Sequence, residues 1–347
     1  MALFGVYMVV AIDMLASALT IPIMPFFVAS VCGCDDGVEG QCKDPVCNRL
    51  GGASSSLGFM FSAFAVAQLL SNAWMGPLSD TVGRRAILTV TLGGAGIGMI
   101  ASSLAPSFTW LVASRIFIGA CSGTMSAANA YIADISTSKE RPGLMANVGT
   151  LVQLCFMFGP GVGAGLAELD RRAPFWVGAF TSFFALLVAA IYVRPPEEIF
   201  SKDKANGDGA TKTSRLSVSD DPTAPPPPTN WGLVGTLAVG SLASNTAMSS
   251  LMTCQALYLK EIFGFGSLQF GFVMMGTATF GIIVRTMLFD KIQSSLGLMR
   301  TATLGAIMGT VTYSGYSLLS GTPTSKYIFF ALAGMGTVGR SVLSRVP

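Results

Sequence analysis

Residues 76–85 read Gly-Pro-Leu-Ser-Asp-Thr-Val-Gly-Arg-Arg, a charged turn between two long apolar stretches. Gly83 permits a sharp reversal of the chain, because glycine adopts backbone angles that other residues avoid. Arg84 and Arg85 are expected on the cytoplasmic side of a membrane, where they can pair with Asp80 or cap helix C-termini. The segment therefore predicts a tight cytoplasmic hairpin between two membrane-spanning helices.

The composition excludes an ordinary soluble protein. Of the 347 residues, 51% are hydrophobic and only 11% are charged, which leaves too little polar surface to cover a globule. A membrane-spanning helix needs about 20 mostly apolar residues, and ten segments meet that requirement. The predicted spans are residues 2–29, 54–75, 86–106, 108–131, 143–167, 173–193, 231–257, 266–288, 301–320 and 326–346.

The charges of the short loops predict the orientation, since basic loops stay on the cytoplasmic side. The turns that hold Arg84 and Arg141 are basic, whereas residues 33–52 carry more acids than bases. The N-terminus is therefore predicted to lie in the cytoplasm.

One break in composition divides the chain. Residues 194–230 are rich in proline and polar residues and have almost no apolar periodicity, which predicts a flexible cytoplasmic linker. The linker separates a six-helix bundle, residues 1–193, from a second bundle of about four helices, residues 231–347. The predicted fold class is an all-α, polytopic membrane bundle.

The hairpin resembles the signature G-x-L-(S/A)-D-x-x-G-R-R of the major facilitator superfamily, a large group of secondary transporters. The resemblance implies two pseudo-symmetric halves around a central substrate path. Members with twelve spans have two more helices, so we expect this chain to be a truncated form with an incomplete second half. A degraded copy of the signature after span eight keeps its acid. The predicted gating residues are Gly76, Asp80, Gly83, Arg84, Arg85 and Asp290.

Span one contains an acid, Asp13, followed by Pro22 and Pro25. This pattern is similar to the drug:proton antiporter branch, which includes bacterial tetracycline efflux proteins and vesicular amine transporters. A carboxylate in a bilayer helix costs about 2.5–3.5 kcal/mol on insertion scales, so it normally faces a wet cavity or a partner. The resemblance allows Asp13 to carry a proton or to pair with a cationic substrate. The alternative is an acid that merely reaches the cytoplasmic interface.

Span four contains Arg115 followed by Gly119 and Gly123, and in this branch such a pattern is associated with proton coupling. These residues and Ala127 are predicted to share one face of the helix. We hypothesise that Arg115 biases the protonation of Asp13. Close helix packing alone is an equally good explanation of the glycines.

Span five reads Gly-Pro-Gly-Val-Gly-Ala-Gly over residues 159–165, which resembles the antiporter signature G-P-x-x-G-G with Ala164 in place of the last glycine. Proline kinks a helix, and glycines are expected to allow close sliding contact with the opposite bundle. The pattern predicts a hinge at Gly159, Pro160 and Gly163, and a purely structural kink is the alternative.

Isolated amide side chains occur in spans that line the substrate path of family members. They are candidates for the substrate cavity, although hydrogen bonds between helices explain them equally well. These residues are Gln68, Asn72, Asn129, Gln153, Asn245 and Gln255.

Four cysteines, Cys32, Cys34, Cys42 and Cys47, cluster around the first predicted outer loop. Disulfides are favoured there by an oxidising exterior or organelle lumen, and three pairings are open. The rival is a thiolate metal site, but the chain has no histidine and the spacing is not a standard zinc pattern.

The absence of histidine also excludes Ser-His and Cys-His nucleophile systems. We therefore predict a protein that is not an enzyme and needs no cofactor. The predicted function is alternating-access transport of a small organic solute, for which a cationic solute is one option, in exchange for protons. The expected partners are that solute, protons and the lipid bilayer of a plasma or organelle membrane, without nucleic acid, and the expected state is monomeric. The alternatives are a non-transporting receptor or regulatory fragment, and a proton-independent facilitator.

Overall fold

A computed structural model describes most of the N-terminal half of the chain and parts of the C-terminal half. The described residues are 2–34, 42–137, 140–193, 255, 258–260, 262–287, 295, 298–316, 318–319 and 327–336. The predicted linker, most of predicted span seven, and the candidate residues Asn245 and Asp290 lie outside them.

The described part of the chain is built from α-helices, because a bilayer core offers no water to unpaired backbone groups and helices satisfy those groups internally. Among the described residues, seven helical stretches are long and apolar enough to cross a membrane, and they match predicted spans one to six and eight. The helices are α1 (Ala2–Thr20), α2 (Met24–Cys32), α3 (Pro45–Arg49), α4 (Ala53–Val82), α5 (Arg84–Ser103), α6 (Phe108–Ala120), α7 (Thr124–Ile135), α8 (Arg141–Leu169), α9 (Ala173–Tyr192), α10 (Ser267–Met287), α11 (Leu298–Tyr316) and α12 (Tyr327–Gly336).

Prolines divide the first span without ending it. Pro22 lies in the first turn of a short 3-10 helix, Ile21–Ile23, and Pro25 lies in the first turn of α2. Proline is tolerated at these positions because the first N–H groups of a helix have no intrahelical partner. The result is one apolar stretch, Leu3–Cys32, with a 3-10 turn at Ile21–Ile23.

Residues 76–85 form the turn that their sequence predicts. Helix α4 ends at Val82, and α5 begins at Arg84. Gly83 between them has a φ of 99°, a conformation that side chains other than glycine rarely adopt. A single residue therefore reverses the chain.

Both hairpin arginines have partners on other helices. The Nε of Arg84 donates to Oδ2 of Asp134, at the end of α7, over 2.9 Å. Arg85 donates to the carbonyl of Ala190, one of the last carbonyls of α9, which lack intrahelical partners. The side chain of Asp80, the partner considered from the sequence, lies outside the described part of the structure.

The cysteine-rich loop is closed by two nested disulfides, Cys32–Cys47 and Cys34–Cys42. The structure thus selects one of the three pairings that the sequence leaves open. Within the described residues, no group of three or more cysteine, aspartate, glutamate or histidine side chains could hold a metal ion.

The disulfide-closed loop is also fixed to the bundle. Asp44 caps α3 by accepting a hydrogen bond from the N–H of Val46 at 2.9 Å. Its second carboxylate oxygen accepts from the N–H of Phe108, the first residue of α6, at 3.0 Å. One side chain therefore joins the loop to two helix N-termini.

Helix α8 packs against α1 through the glycines of predicted span five. A Cβ placed on Gly159 would overlap the side chain of Ala18, and one on Gly163 would overlap the carbonyl oxygen of Leu19. These positions therefore require glycine for the two helices to approach so closely.

The opposite side of α8 contacts α10, which belongs to the second half of the chain. A Cβ on Gly271 of α10 would overlap Ala164 and lie 2.7 Å from the carbonyl oxygen of Pro160. Ser267, at the start of α10, donates a hydrogen bond to Glu168 over 3.2 Å. These contacts lie toward the end of the molecule that carries the disulfide loop.

The close approach at Gly163 predicts a selective effect of adding one methyl group. We expect Gly163→Ala to destabilise the protein by about 1–3 kcal/mol, because the new Cβ has to displace a backbone carbonyl. Gly165→Ala is the matched control, since a Cβ at that position meets nothing within 4 Å, and alanine favours a helix over glycine by about 0.5–1 kcal/mol. Thermal unfolding in detergent measures both. If both variants lost the same stability, this would contradict the conclusion that close packing against α1 requires glycine at position 163.

Candidate functional site

A cavity of about 350 Å³ lies inside the N-terminal half, between α1, α4, α5, α6 and α7. Its volume falls within the range of small-molecule sites, and its wall is mostly apolar with a few polar groups, as is typical of such sites. It lies between two buried cores of the half. Met24 and Met60 belong to the core near the disulfide loop, and Met14 and Met125 pack against the core near the hairpin.

Asp13 lies in the wall of this cavity. Its residue surface is only 7% exposed, and Thr124 lines the same cavity beside it. The interfacial alternative requires an exposed carboxylate, whereas this carboxylate is enclosed by the bundle.

Arg115 lines the same cavity and is 8% exposed. Its guanidinium carbon lies 5.3 Å from the centre of the Phe175 ring, within cation–π distance. Its Nε and Nη2 atoms are buried and have no hydrogen-bond partner. Asp13 and Arg115 therefore share a cavity, but no ion pair joins them.

The prediction that Arg115, Gly119 and Gly123 share one helical face is wrong, because span four is not a continuous helix. Helix α6 ends at Ala120, and α7 begins at Thr124. Gly119 and Gly123 both approach α4, where Gly119 meets the carbonyl oxygen of Phe64. The glycines thus pack against α4, while Arg115 lines the cavity.

Side chains of α4 bind the broken segment of span four. The Ser71 hydroxyl lies 2.7 Å from the Ala120 carbonyl and 3.1 Å from the Ser122 carbonyl. The amide of Gln68 donates to the Ser122 hydroxyl over 2.8 Å. Non-helical backbone is tolerated at membrane depth when it is buried in protein or lines a cavity, and residues 121–124 line this one.

The amide candidates divide into two groups. Gln68 and Asn72 line the cavity. Asn129 and Gln255 are partly buried and Gln153 is exposed, and none of the three lines it. These three residues therefore lie outside this cavity, and their place in a substrate path stays a prediction.

Sequence reasoning missed the small hydroxyl residues that supply much of the cavity's polar wall. Ser17 and Thr20 line it together with Asp13, and Thr91 and Thr124 line it from α5 and α7. The first two lie four and seven positions after Asp13, a spacing that places them on one helical face. The helical spacing from Asp13 therefore contains a signal from which Ser17 and Thr20 could have been identified.

Comparison with known proteins adds a family and a set of relatives. Residues 6–344 match the family described as Major Facilitator Superfamily. The chain is 23% identical over 292 residues to the quinolone resistance protein NorA of Staphylococcus aureus (strain MSSA476), a match that covers 84% of this chain and 67% of NorA. It is 26% identical over 253 residues to multidrug resistance protein 1 of Bacillus subtilis (strain 168), covering 73% and 61%.

Solved structures show the same fold. The human organic anion transporter MFSD10 (TETRAN) aligns with a TM-score of 0.68 at 18% identity, over 99% of this chain and 84% of MFSD10. A D-xylose-proton symporter aligns with a TM-score of 0.65 at 13% identity, over 99% and 80%.

The broken segment predicts a role for a single hydroxyl. We expect Ser71→Ala to destabilise the protein by about 1–2 kcal/mol, because two carbonyls at the break lose a shared donor in a buried setting. Ser126→Ala is the control, since its hydroxyl donates to the Gly123 carbonyl, which also accepts the Ala127 N–H at 2.9 Å. Thermal unfolding of both variants in one detergent tests this. A Ser71→Ala protein as stable as the control would refute the role.

Proposed function

Because the chain belongs to the Major Facilitator Superfamily, we propose that it moves a small organic solute across a membrane by alternating access, in exchange for protons. The observation that carries this proposal is the carboxylate of Asp13, which is buried in the wall of a cavity large enough for a small molecule.

Family membership confirms several predictions made from the sequence. The chain is an integral multi-pass α-helical protein of a secondary-transporter superfamily, not of an enzyme family. The relatives NorA and multidrug resistance protein 1 confirm the resemblance to drug exporters. The chain spans 67% of the length of NorA and 61% of the length of multidrug resistance protein 1.

The exchange follows from electrostatics at Asp13. A carboxylate enclosed by low-dielectric protein is strongly stabilised by one compensating positive charge. A proton and a cationic group of the solute compete for that carboxylate, because either one neutralises it. Protonation from one side of the membrane then releases the solute, and binding of the solute releases the proton.

The movement is proposed to take place at the contact between the halves. The described contacts join α8 to α10 near the disulfide loop, which supports a conformation closed at that end. The predicted hinge residues Gly159, Pro160 and Gly163 lie in this part of α8. Rocking of one half against the other about a fixed site is a mechanism that such folds use.

The solute is proposed to be a drug-like organic amine. Methionine is flexible and polarisable and suits sites that accept varied shapes, and five methionines, Met14, Met24, Met60, Met99 and Met125, line the cavity. The names of the two relatives refer to quinolone resistance and multidrug resistance. We further propose a cytoplasmic N-terminus, on the basis of the basic turns at Arg84 and Arg141.

Replacement of the buried acid tests the coupling. We expect the purified chain in proteoliposomes to accumulate an organic amine or a quinolone when a pH gradient is applied. Asp13→Asn should reduce this gradient-driven accumulation at least about tenfold, because the amide takes up no proton. Asp170→Asn is the matched control, since Asp170 is exposed and accepts a local bond from the Arg172 N–H.

The same assay separates the alternatives. Solute uptake that only equilibrates the two sides and is independent of the pH gradient in both the parent and Asp13→Asn would favour a facilitator. No solute movement by the folded parent would favour a non-transporting receptor. Gradient-driven transport that survives in Asp13→Asn would refute the coupling role of this residue.

A further inference from the structure

The guanidinium of Arg115 is a buried cation whose Nε and Nη2 have no partner. Burial of such a group is costly unless it is paired and hydrogen-bonded, and arginine presents its donors in a fixed planar fork. The hydroxyls of Ser102 and Ser114 on α5 and α6 form hydrogen bonds with other groups. The hydroxyl of Ser114 lies 2.7 Å from the Leu111 carbonyl and 2.8 Å from the Ser102 hydroxyl, which in turn lies 2.7 Å from the Gly98 carbonyl.

Arg115 contacts the Phe175 ring and also lines the cavity. An aromatic face attracts a cation but accepts no conventional hydrogen bond in the plane of the guanidinium. The carboxylate of Asp13 lines the same cavity without forming an ion pair with it. An acceptor for the unpaired nitrogens can therefore enter from the cavity.

We propose that Arg115 binds a carboxylate of the transported solute. The proposal rests on the proposed function, and it narrows the substrate class to amphoteric molecules, whose amine is left for Asp13. A planar carboxylate matches the arginine fork through two parallel hydrogen bonds. Among the described residues that line the cavity, Arg115 is the only cationic side chain. A monoanion therefore suits the site better than a doubly charged phosphate.

The two charged residues lie at different depths in the bundle. Thr124, which neighbours Asp13, follows Arg115 by nine positions, which corresponds to about 13 Å along the span at the usual helical rise. The break between α6 and α7 and the length of the arginine side chain change this separation, but they do not bring the two charges into an ion pair. The solute is therefore elongated, with its acid and amine at opposite ends and an apolar body between them.

A pair of matched probes tests the proposal by equilibrium binding. The full 347-residue chain in lipid nanodiscs is titrated with 4′-(aminomethyl)biphenyl-4-carboxylate and with the corresponding neutral carboxamide, and the two Kd values are compared by calorimetry. We expect the acid to bind the parent protein about tenfold or more tightly than the amide, as a charge-assisted hydrogen bond provides.

Substitutions assign that preference to Arg115. Arg115→Gln should remove the preference while the Kd of the amide changes little, so the amide also reports an intact cavity. Arg115→Lys should retain part of the preference, because it keeps the charge but not the planar fork. The matched control is Arg171→Gln, an exposed arginine that donates to Ser30 over 3.0 Å at the end of α2.

Two results would overturn the proposal. One is a parent protein that does not distinguish the acid from the amide, including one that binds neither. The other is an undiminished preference in both Arg115 variants. Because binding at equilibrium requires no transport, a carboxylate preference without solute movement would overturn the proposed function alone. Proton-driven transport of amines without this preference would overturn the present inference alone.

Discussion

The absence of water in the bilayer core is the constraint on which the rest of this structure depends. A polar group in that environment has to find a protein partner or face a cavity. At the helix break after Ala120, the hydroxyl of Ser71 supplies such a partner. Against this background, Asp13 and Arg115 stand out because they share a cavity and do not pair with each other.

Features that depend on local sequence could be predicted, because bilayer thickness fixes span length and a glycine directly before two arginines determines the hairpin. The spans of the N-terminal half and the turn at Gly83 are examples. The break in span four could not be predicted in this way. Its sequence is apolar and small, and what stabilises it is Ser71, a residue about 50 positions earlier on another helix. The Asp134 partner of Arg84 is equally distant in sequence.

The glycines of span five show what a sequence pattern cannot predict, namely which neighbouring helix each glycine faces. The motif contains four glycines within seven residues, and the pattern alone treats them as equivalent surfaces for sliding. The structure divides them by direction. Gly159 and Gly163 face α1, Gly161 faces Met275 of α10, and Gly165 faces open space. Which of these glycines is essential for packing depends on the neighbouring helices. The spacing of residues in a helix determines the angle between their side chains around the helix axis, but it does not identify the helix that packs against each side.

The two-sided packing of α8 links the cavity to the contact between the halves. On one side its glycines hold α1 near Leu19, between the cavity-lining residues Ser17 and Thr20. On the other side Pro160 and Ala164 pack closely against Gly271 of α10. Packed helices transmit displacement because protein interiors are close to crystal density. In the proposed transport cycle, a change in the angle between α8 and α10 shifts α1, and with it the cavity wall that contains Asp13. Under that proposal, α8 is the helix that couples proton binding at Asp13 to the position of the second half.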